Sequence, residues 1–202
     1  MSAFPVLRRL NAANVVTSAS VVLGLAACEL ALGGRLGWAV LCGALALPCD
    51  VLDGALARRL NQVTAFGGEL DSLADALSFC VVPAVLARAM GVSGPWTLGL
   101  YLYALAGMWR LAHFAQVGTR SVKGRECFEG LPTAFAAALF YLLAAGVGGG
   151  SAGARSAALG GYLALAAVAM IAGFPFPKRG LHTKVLWGLV PVAVVACVVR
   201  FW

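Results

Sequence analysis

The sequence has little charge. Of 202 residues only eight are acidic and 15 basic, so 11% are charged, against ~25% in a typical soluble domain. With 61% hydrophobic residues, the chain lacks the polar surface that a soluble globule needs. The same apolarity excludes a disordered chain, which depends on low hydrophobicity and high net charge. Histidine occurs twice, at 113 and 182. The six cysteines, at 28, 42, 49, 80, 127 and 197, form no C-x-x-C pair. That excludes a zinc ribbon and a disulfide framework, and leaves the thiols as small buried hydrophobes. The alternating segments of ~10 residues that mark a membrane β-barrel are missing as well. The net charge of +7 comes from short basic clusters between apolar runs rather than one basic face, which excludes nucleic acid as a partner.

What is present is a series of apolar runs. A membrane-spanning helix needs ~20 predominantly apolar residues, and seven runs of about that length are predicted as spans. They cover about Val15–Gly33, Trp38–Ala57, Leu70–Met90, Trp96–Val117, Pro132–Gly148, Ala154–Phe174 and Val185–Phe201. The predicted fold class is all-α, a polytopic membrane helix bundle forming a single domain over 1–202. Residues 1–12, with Phe4, Val6, Leu7 and Leu10 beside Arg8 and Arg9, read as an interfacial amphipathic helix. Residues 13–174 form the core, and 183–201 an additional C-terminal span. Arg8, Arg9, Arg58, Arg59, Arg120, Lys123, Arg125, Lys178, Arg179 and Lys184 collect on one side of these spans. Arg35, Arg88, Arg155 and Arg200 collect on the other. The excess predicts an integral protein of the cell membrane with its N-terminus in the cytoplasm.

The few acids are not scattered. Five of the eight lie between Asp50 and Asp75: Asp50, Asp53, Glu69, Asp71 and Asp75. A charged side chain in the bilayer costs at least ~2.5–3.5 kcal/mol, and neighbouring carboxylates repel. Asp50 and Asp53 are three apart, and Asp71 and Asp75 four apart, so each pair shares one helix face. The loop between the two helices carries Arg58 and Arg59, which puts both pairs near one membrane boundary. All four carboxylates can converge on one centre. A bound divalent cation answers both the desolvation and the repulsion. A set of carboxylate oxygens with no His nearby favours Mg²⁺ or Mn²⁺, and a two-metal site would suit phosphoryl chemistry. Gly54 and Ala57 lie on or beside the Asp50/Asp53 face and Gly67 precedes the next helix, so a bulky ligand can approach the backbone there.

From Asp50 the residues read D-V-L-D-G-A-L-A-R, then eight residues, then G-G-E-L-D-S-L-A-D. This is D-x₂-D-G-x₂-A-R-x₈-G-x₃-D-x₃-D, and it resembles the motif of the CDP-alcohol phosphotransferase family. The motif covers 26 residues, and the span pattern extends the resemblance over most of the chain. The resemblance implies an integral membrane enzyme with a six-helix catalytic core, usually a homodimer. Such an enzyme moves a phosphate-bearing group from a CDP-linked donor to an alcohol and releases CMP. By position it implies Asp50, Asp53, Asp71 and Asp75 at the metals and Asp75 as the base. It also implies Gly54, Ala57, Arg58 and Gly67 at the CDP moiety. Asn14 and Thr17, in N-V-V-T, resemble the family's N-x-x-T at the first span and would face the nucleotide.

Within the family the chain is most similar to the integral-membrane phosphatidylserine synthases. F-G-G-E-L-D-S-L-A-D-A-L-S-F-C-V-V-P-A follows their pattern, including Ser78, with Cys80 in place of a glycine. W-R-L-A-H-F-A resembles their R-L-A-R-F-N, except that His113 replaces Arg and Ala115 replaces Asn, and F-E-G-L-P-T resembles F-x-G-L-P-x-P. This implies CDP-diacylglycerol as donor and L-serine as acceptor, in phospholipid synthesis among membrane lipids. A glycerol 3-phosphate or inositol phosphate acceptor is the alternative. Arg110, inside the fourth run, is a candidate for an acceptor carboxylate or a donor phosphate, or for a structural ion pair. His113, Lys123, Arg125 and Ser78 are the further candidates for contact with acceptor or phosphate. Glu126 and Glu129 read as loop carboxylates within reach of a serine ammonium.

Overall fold

The computed structural model describes residues 4–122, 124–147 and 151–178, with positions 188, 191, 192, 195 and 199 beyond them. Among the described residues six long helical segments run up and down. They are α1 (Ala12–Leu32), α2 (Leu36–Arg59), a rod over Ala65–Ala89, α5 (Thr97–Val117), α6 (Thr133–Val147) and α7 (Ala152–Ile171). The rod consists of α3 (Ala65–Asp75), a π-helical stretch Ala76–Val81, and α4 (Val82–Ala89). Among the described residues, α1, α2, the rod and α7 are long and apolar enough to cross a membrane, and α6 is a shorter apolar helix. The chain is an integral membrane protein by this composition. α5 is 21 residues long, but Arg110, His113, Gln116 and two tyrosines make it less apolar than those four. The seventh predicted span, Val185–Phe201, lies almost entirely outside the described residues.

The helix starts follow local chemistry. Asn11 caps α1 by accepting from the Asn14 N–H at 2.9 Å, and Thr64 caps α3 by accepting from the Gly67 N–H at 3.0 Å. Before α1 the predicted interfacial helix is only a 3₁₀ turn, Leu7–Arg9. Five residues separate Pro5 from the Asn11 cap, too few for a helix to hold itself in water. The Asn14 side-chain amide instead ties this turn down by donating to Arg9 O at 3.1 Å.

The buried core is built of small residues and a few large ones, among them Phe79, Leu86, Tyr103, Phe140, Tyr141 and Leu163. Close approach is what holds α5 to α7. A Cβ on Gly99 would collide with Gly160 O, and one on Gly160 would sit 2.7 Å from the Trp96 Cβ. Packing of small residues is the main attraction available between helices in lipid. The π-helical stretch lies next to Pro83, which has no N–H to give the carbonyl four residues back. That carbonyl, Phe79 O, accepts from the Tyr103 hydroxyl of α5 at 2.9 Å, in full burial.

At the end of the bundle where α5 and α7 finish, the region 118–132, expected as a basic loop, is a small antiparallel sheet. Its order is β1 (Arg120–Val122), β2 (Arg125–Glu129), β3 (Pro175–Pro177). Val122 pairs with Arg125, and Gly124 has φ 74°. Phe128 pairs with Phe176, which fastens the hairpin to the chain leaving α7. Pro175 and Pro177 lie on an edge strand, where a missing N–H is tolerated.

Candidate active site

Both aspartate pairs lie at one end of the bundle. α2 ends on Arg58 and Arg59, and the Asn11 amide bridges the start of α1 to Gln62 O in the following loop at 3.1 Å. This brings α1, α2 and α3 together at the aspartates. One carboxylate oxygen from each of Asp50, Asp53 and Asp71 lies within 4.8 Å of the other two. Asp75, one turn further along the rod, lies close enough to Asp50 for the two carboxyl groups to interact. Asp53 is 5% exposed, and its Oδ2 accepts from Thr17 Oγ1 at 2.6 Å.

Among the described residues no lysine or arginine forms an ion pair with these four carboxylates; the ion pairs of the protein lie elsewhere. Three anionic oxygens face one centre without a bonded cation. Hard oxygen donors in this number fit a divalent ion of the Mg²⁺ or Mn²⁺ type, with water or substrate oxygens completing its shell. An aspartate cluster able to hold a metal ion is therefore present.

A cavity of about 300 Å³ opens beside the cluster. Asn14, Thr17, Asp53, Gly54, Ala57, Arg58, Gly67 and Asp71 line it, so every residue that the motif suggested for the nucleotide faces one space. Gln62, Val63 and Thr64 also line it, and the sequence reading missed them. They belong to the x₈ stretch of the motif, where spacing carries information but residue identity does not. The buried Gln62 Oε1 has no hydrogen-bond partner among the described residues, a signal that only coordinates give. Gly67 is needed by closeness, because a Cβ there would fall 2.9 Å from Asn14 Oδ1.

A second cavity, about 290 Å³, lies between α5, β2 and the end of α7. Trp109, Arg110, His113 and Glu129 line it, together with residues 170–173. Arg110 is 8% exposed. Its guanidinium carbon sits 5.8 Å from the centroid of the Phe128 ring, and it is within electrostatic reach of Asp75. His113 Nε2 and Glu129 Oε2 are 2.8 Å apart, and Arg120 pairs with the other Glu129 oxygen.

The remaining candidates are placed elsewhere. Ser78 is fully buried and donates to Ser20 O of α1 at 3.2 Å, so it packs the rod on α1 and lines neither cavity. Arg125 is an exposed residue of β2 and lines neither cavity. Lys123 lies outside the described residues. The described cysteines are all free thiols.

Comparison with known proteins bears on this arrangement directly. Residues 10–195 match the CDP-alcohol phosphatidyltransferase family. The chain belongs to that family. Similar proteins include the CDP-diacylglycerol–serine O-phosphatidyltransferase of Saccharomyces cerevisiae, 44% identical over 89 residues. That alignment covers 41% of this chain and 32% of the yeast protein. The protein of the same name from Mycobacterium bovis is 36% identical over 138 residues, covering 65% of this chain and 48% of the relative. That of Bacillus subtilis is 31% identical over 132 residues, covering 64% and 72%. The matched part is thus about a third of the yeast relative and about half of the mycobacterial one. In this CDP-alcohol phosphatidyltransferase family member the motif aspartates lie on α2 and the rod, and Asp53 and Asp71 face the cavity.

Proposed function

We propose that the protein is a phosphatidylserine synthase, transferring the phosphatidyl group of CDP-diacylglycerol to the hydroxyl of L-serine and releasing CMP. The observation that carries this reading is the convergence of most of the motif on one cavity: Asp53 and Asp71 sit beside Gly54, Ala57, Arg58 and Gly67. The names of the relatives supply the donor and the acceptor.

Asp50, Asp53 and Asp71 would hold Mg²⁺ or Mn²⁺, with Asp75 beside them as the family motif implies. When bound, such an ion supplies positive charge that offsets the pyrophosphate and the departing CMP. The small Gly54, Ala57 and Gly67 let the nucleotide lie against the backbone, and Arg58 reaches its phosphates. Thr17 holds one Asp53 oxygen and so fixes the direction of the other. Asp75 accepts the proton of the serine hydroxyl as the new oxygen–phosphorus bond forms. The bond to CMP breaks, and its electron pair leaves with the nucleotide phosphate. The motif contains no extra nucleophile beyond its aspartates, which favours direct displacement. Positioning does most of the work, as in other phosphoryl transfers.

The side of the membrane follows from charge. Arg8, Arg9, Arg58, Arg59, Arg120, Arg125 and Lys178 lie at the aspartate end of the described bundle, and Arg35, Arg88 and Arg155 at the other. The excess favours a cytoplasmic active site, where a water-soluble nucleotide and serine are at hand.

The test is CMP release in lipid nanodiscs from CDP-diacylglycerol and Mg²⁺ or Mn²⁺, with one acceptor at a time. L-serine, glycerol 3-phosphate, inositol, inositol phosphate, ethanolamine and choline form the panel. Release with serine alone, lost on chelation, is the expected result. Release with another alcohol would replace serine as the acceptor.

A further inference from the structure

At the end of the bundle opposite the aspartates, two arginines meet on one turn. The rod ends at Ala89, and the chain turns through Gly91 with φ 97°. Arg88 Nη1 donates a long hydrogen bond to Val92 O at 3.5 Å. Arg155 of α7 lies over the preceding residue, since a Cβ on Gly91 would stand 3.6 Å from its Nη2. The two guanidinium groups thus rest against consecutive residues. The turn is fastened to α7 by Ser156, whose Oγ accepts from the Ser93 N–H at 3.0 Å and donates to Ser93 O at 3.3 Å. Val92 beneath it is fully buried.

Neither arginine has an anion beside it. Of the eight acidic residues only Glu29 lies toward this end of the bundle. No ion pair among the described residues involves Glu29, Arg88 or Arg155. Arg155 Nε is buried without an acceptor among the described residues. Arg155 also stands four residues past the Ser151 cap of α7, where the helix dipole disfavours a cation. Two like charges held side by side, one with an unspent buried donor, require a counter-ion. The surroundings give its kind. Here the rod stops and α5 and α7 begin, so this is a membrane boundary. Trp96 is 42% exposed, and a Cβ on Gly161 of α7 would lie 3.5 Å from its ring. Tryptophan is enriched at the headgroup level, and the exposed Leu98 beyond it offers apolar surface to an acyl chain.

We infer that Arg88 and Arg155 form a binding site for the phosphodiester of an anionic phospholipid, in the leaflet opposite the aspartates. A guanidinium fork matches phosphate oxygens. Two of them favour a headgroup of net negative charge over one whose own ammonium opposes them. The bound lipid ties the end of the rod to the start of α7 from outside the bundle. The site is separate from the transfer chemistry and does not depend on which alcohol the protein uses.

The experiment titrates the full chain in detergent with phosphatidylglycerol, phosphatidylcholine or inorganic phosphate. Native mass spectrometry counts the bound lipid, and far-UV circular dichroism follows the melting midpoint. The unaltered chain takes up phosphatidylglycerol saturably and melts higher with it, and it binds phosphatidylcholine at least about tenfold more weakly. The Arg88→Gln, Arg155→Gln double variant binds one phosphatidylglycerol fewer and loses the rise in midpoint. The exposed Arg88→Gln alone keeps the lipid-free midpoint and weakens that lipid roughly tenfold, which separates loss of lipid from loss of fold. Arg8→Gln with Arg9→Gln, equal in charge at the other end, leaves this lipid and its effect in place. Affinity within about twofold of the unaltered chain in the double variant, equal binding of the two lipids, or the same loss in the Arg8, Arg9 control overturns the site. Displacement of phosphatidylglycerol by millimolar inorganic phosphate makes it a site for soluble anions and overturns the lipid.

Discussion

Thr17 Oγ1 of α1 donates to Asp53 Oδ2 of α2 across 2.6 Å. The same hydroxyl lies 3.2 Å from Ala13 O, but it has one hydrogen, and the shorter contact to the carboxylate takes it. The resemblance placed Thr17 at the nucleotide. The structure gives it both a cavity wall and a carboxylate to orient. Thr17→Val keeps the shape and removes the donor. It should lower kcat/KM by roughly 10- to 100-fold, the usual effect of losing a partner of a metal-binding carboxylate, while Thr17→Ser keeps most activity. A rise in the metal concentration needed for half-maximal rate identifies the orienting role.

Tyr103 and Phe79 carry a structural prediction. Pro83 cannot donate to Phe79 O, and the Tyr103 hydroxyl does so from the neighbouring helix. Tyr103→Phe removes that donor from a fully buried carbonyl and should cost about 1–3 kcal/mol. Thermal unfolding in detergent, monitored by far-UV circular dichroism, reads this as a lower midpoint. The KM values of properly folded protein should be unchanged.

Two glycines of the motif differ in what they tolerate. A Cβ on Gly67 meets Asn14 Oδ1 at 2.9 Å and Thr64 Oγ1 at 3.2 Å, both held by hydrogen bonds. A Cβ on Gly54 meets only the end of the Arg58 side chain, at 3.3 Å. Gly67→Ala should therefore weaken CDP binding more than Gly54→Ala in the chain without donor lipid. Isothermal titration with CDP and Mg²⁺ compares them, and the reverse order would contradict this account of the cavity.

Cys80, at the position where the resemblance pattern has glycine, has a counterpart in α5. A Cβ on Gly107 would lie 2.5 Å from Cys80 Sγ. Gly107→Ala should overpack this contact and cost about 1–3 kcal/mol. Adding Cys80→Gly should return most of the loss, and the double-mutant cycle in melting midpoints measures that coupling.

These contacts mark where the sequence was and was not legible. The spans α1, α2, the rod, α6 and α7 were readable because apolar runs of that length have few other fates. The meeting of Asp50, Asp53 and Asp71 was readable because helical spacing fixes faces and Arg58 and Arg59 fix the boundary. The π-helical stretch after Asp75 was not readable, since it depends on how Pro83 and Tyr103 meet across two helices. The sheet at 120–129 and 175–177 escaped because β1 and β2 are short and charged like a basic loop, and β3 is a three-residue Pro-Phe-Pro segment. Ser78 illustrates the limit of motif position. It fits the synthase pattern, and its hydroxyl is spent on Ser20 O.

The most direct measurement follows lipid product and nucleotide together. Unaltered chain and Asp75→Asn in nanodiscs would receive CDP-diacylglycerol, L-serine and Mn²⁺, with phosphatidylserine quantified by mass spectrometry against CMP. The account predicts one phosphatidylserine per CMP in the unaltered chain, and neither from Asp75→Asn despite retained CDP binding. CMP without phosphatidylserine, or turnover by Asp75→Asn at a comparable rate, would contradict it.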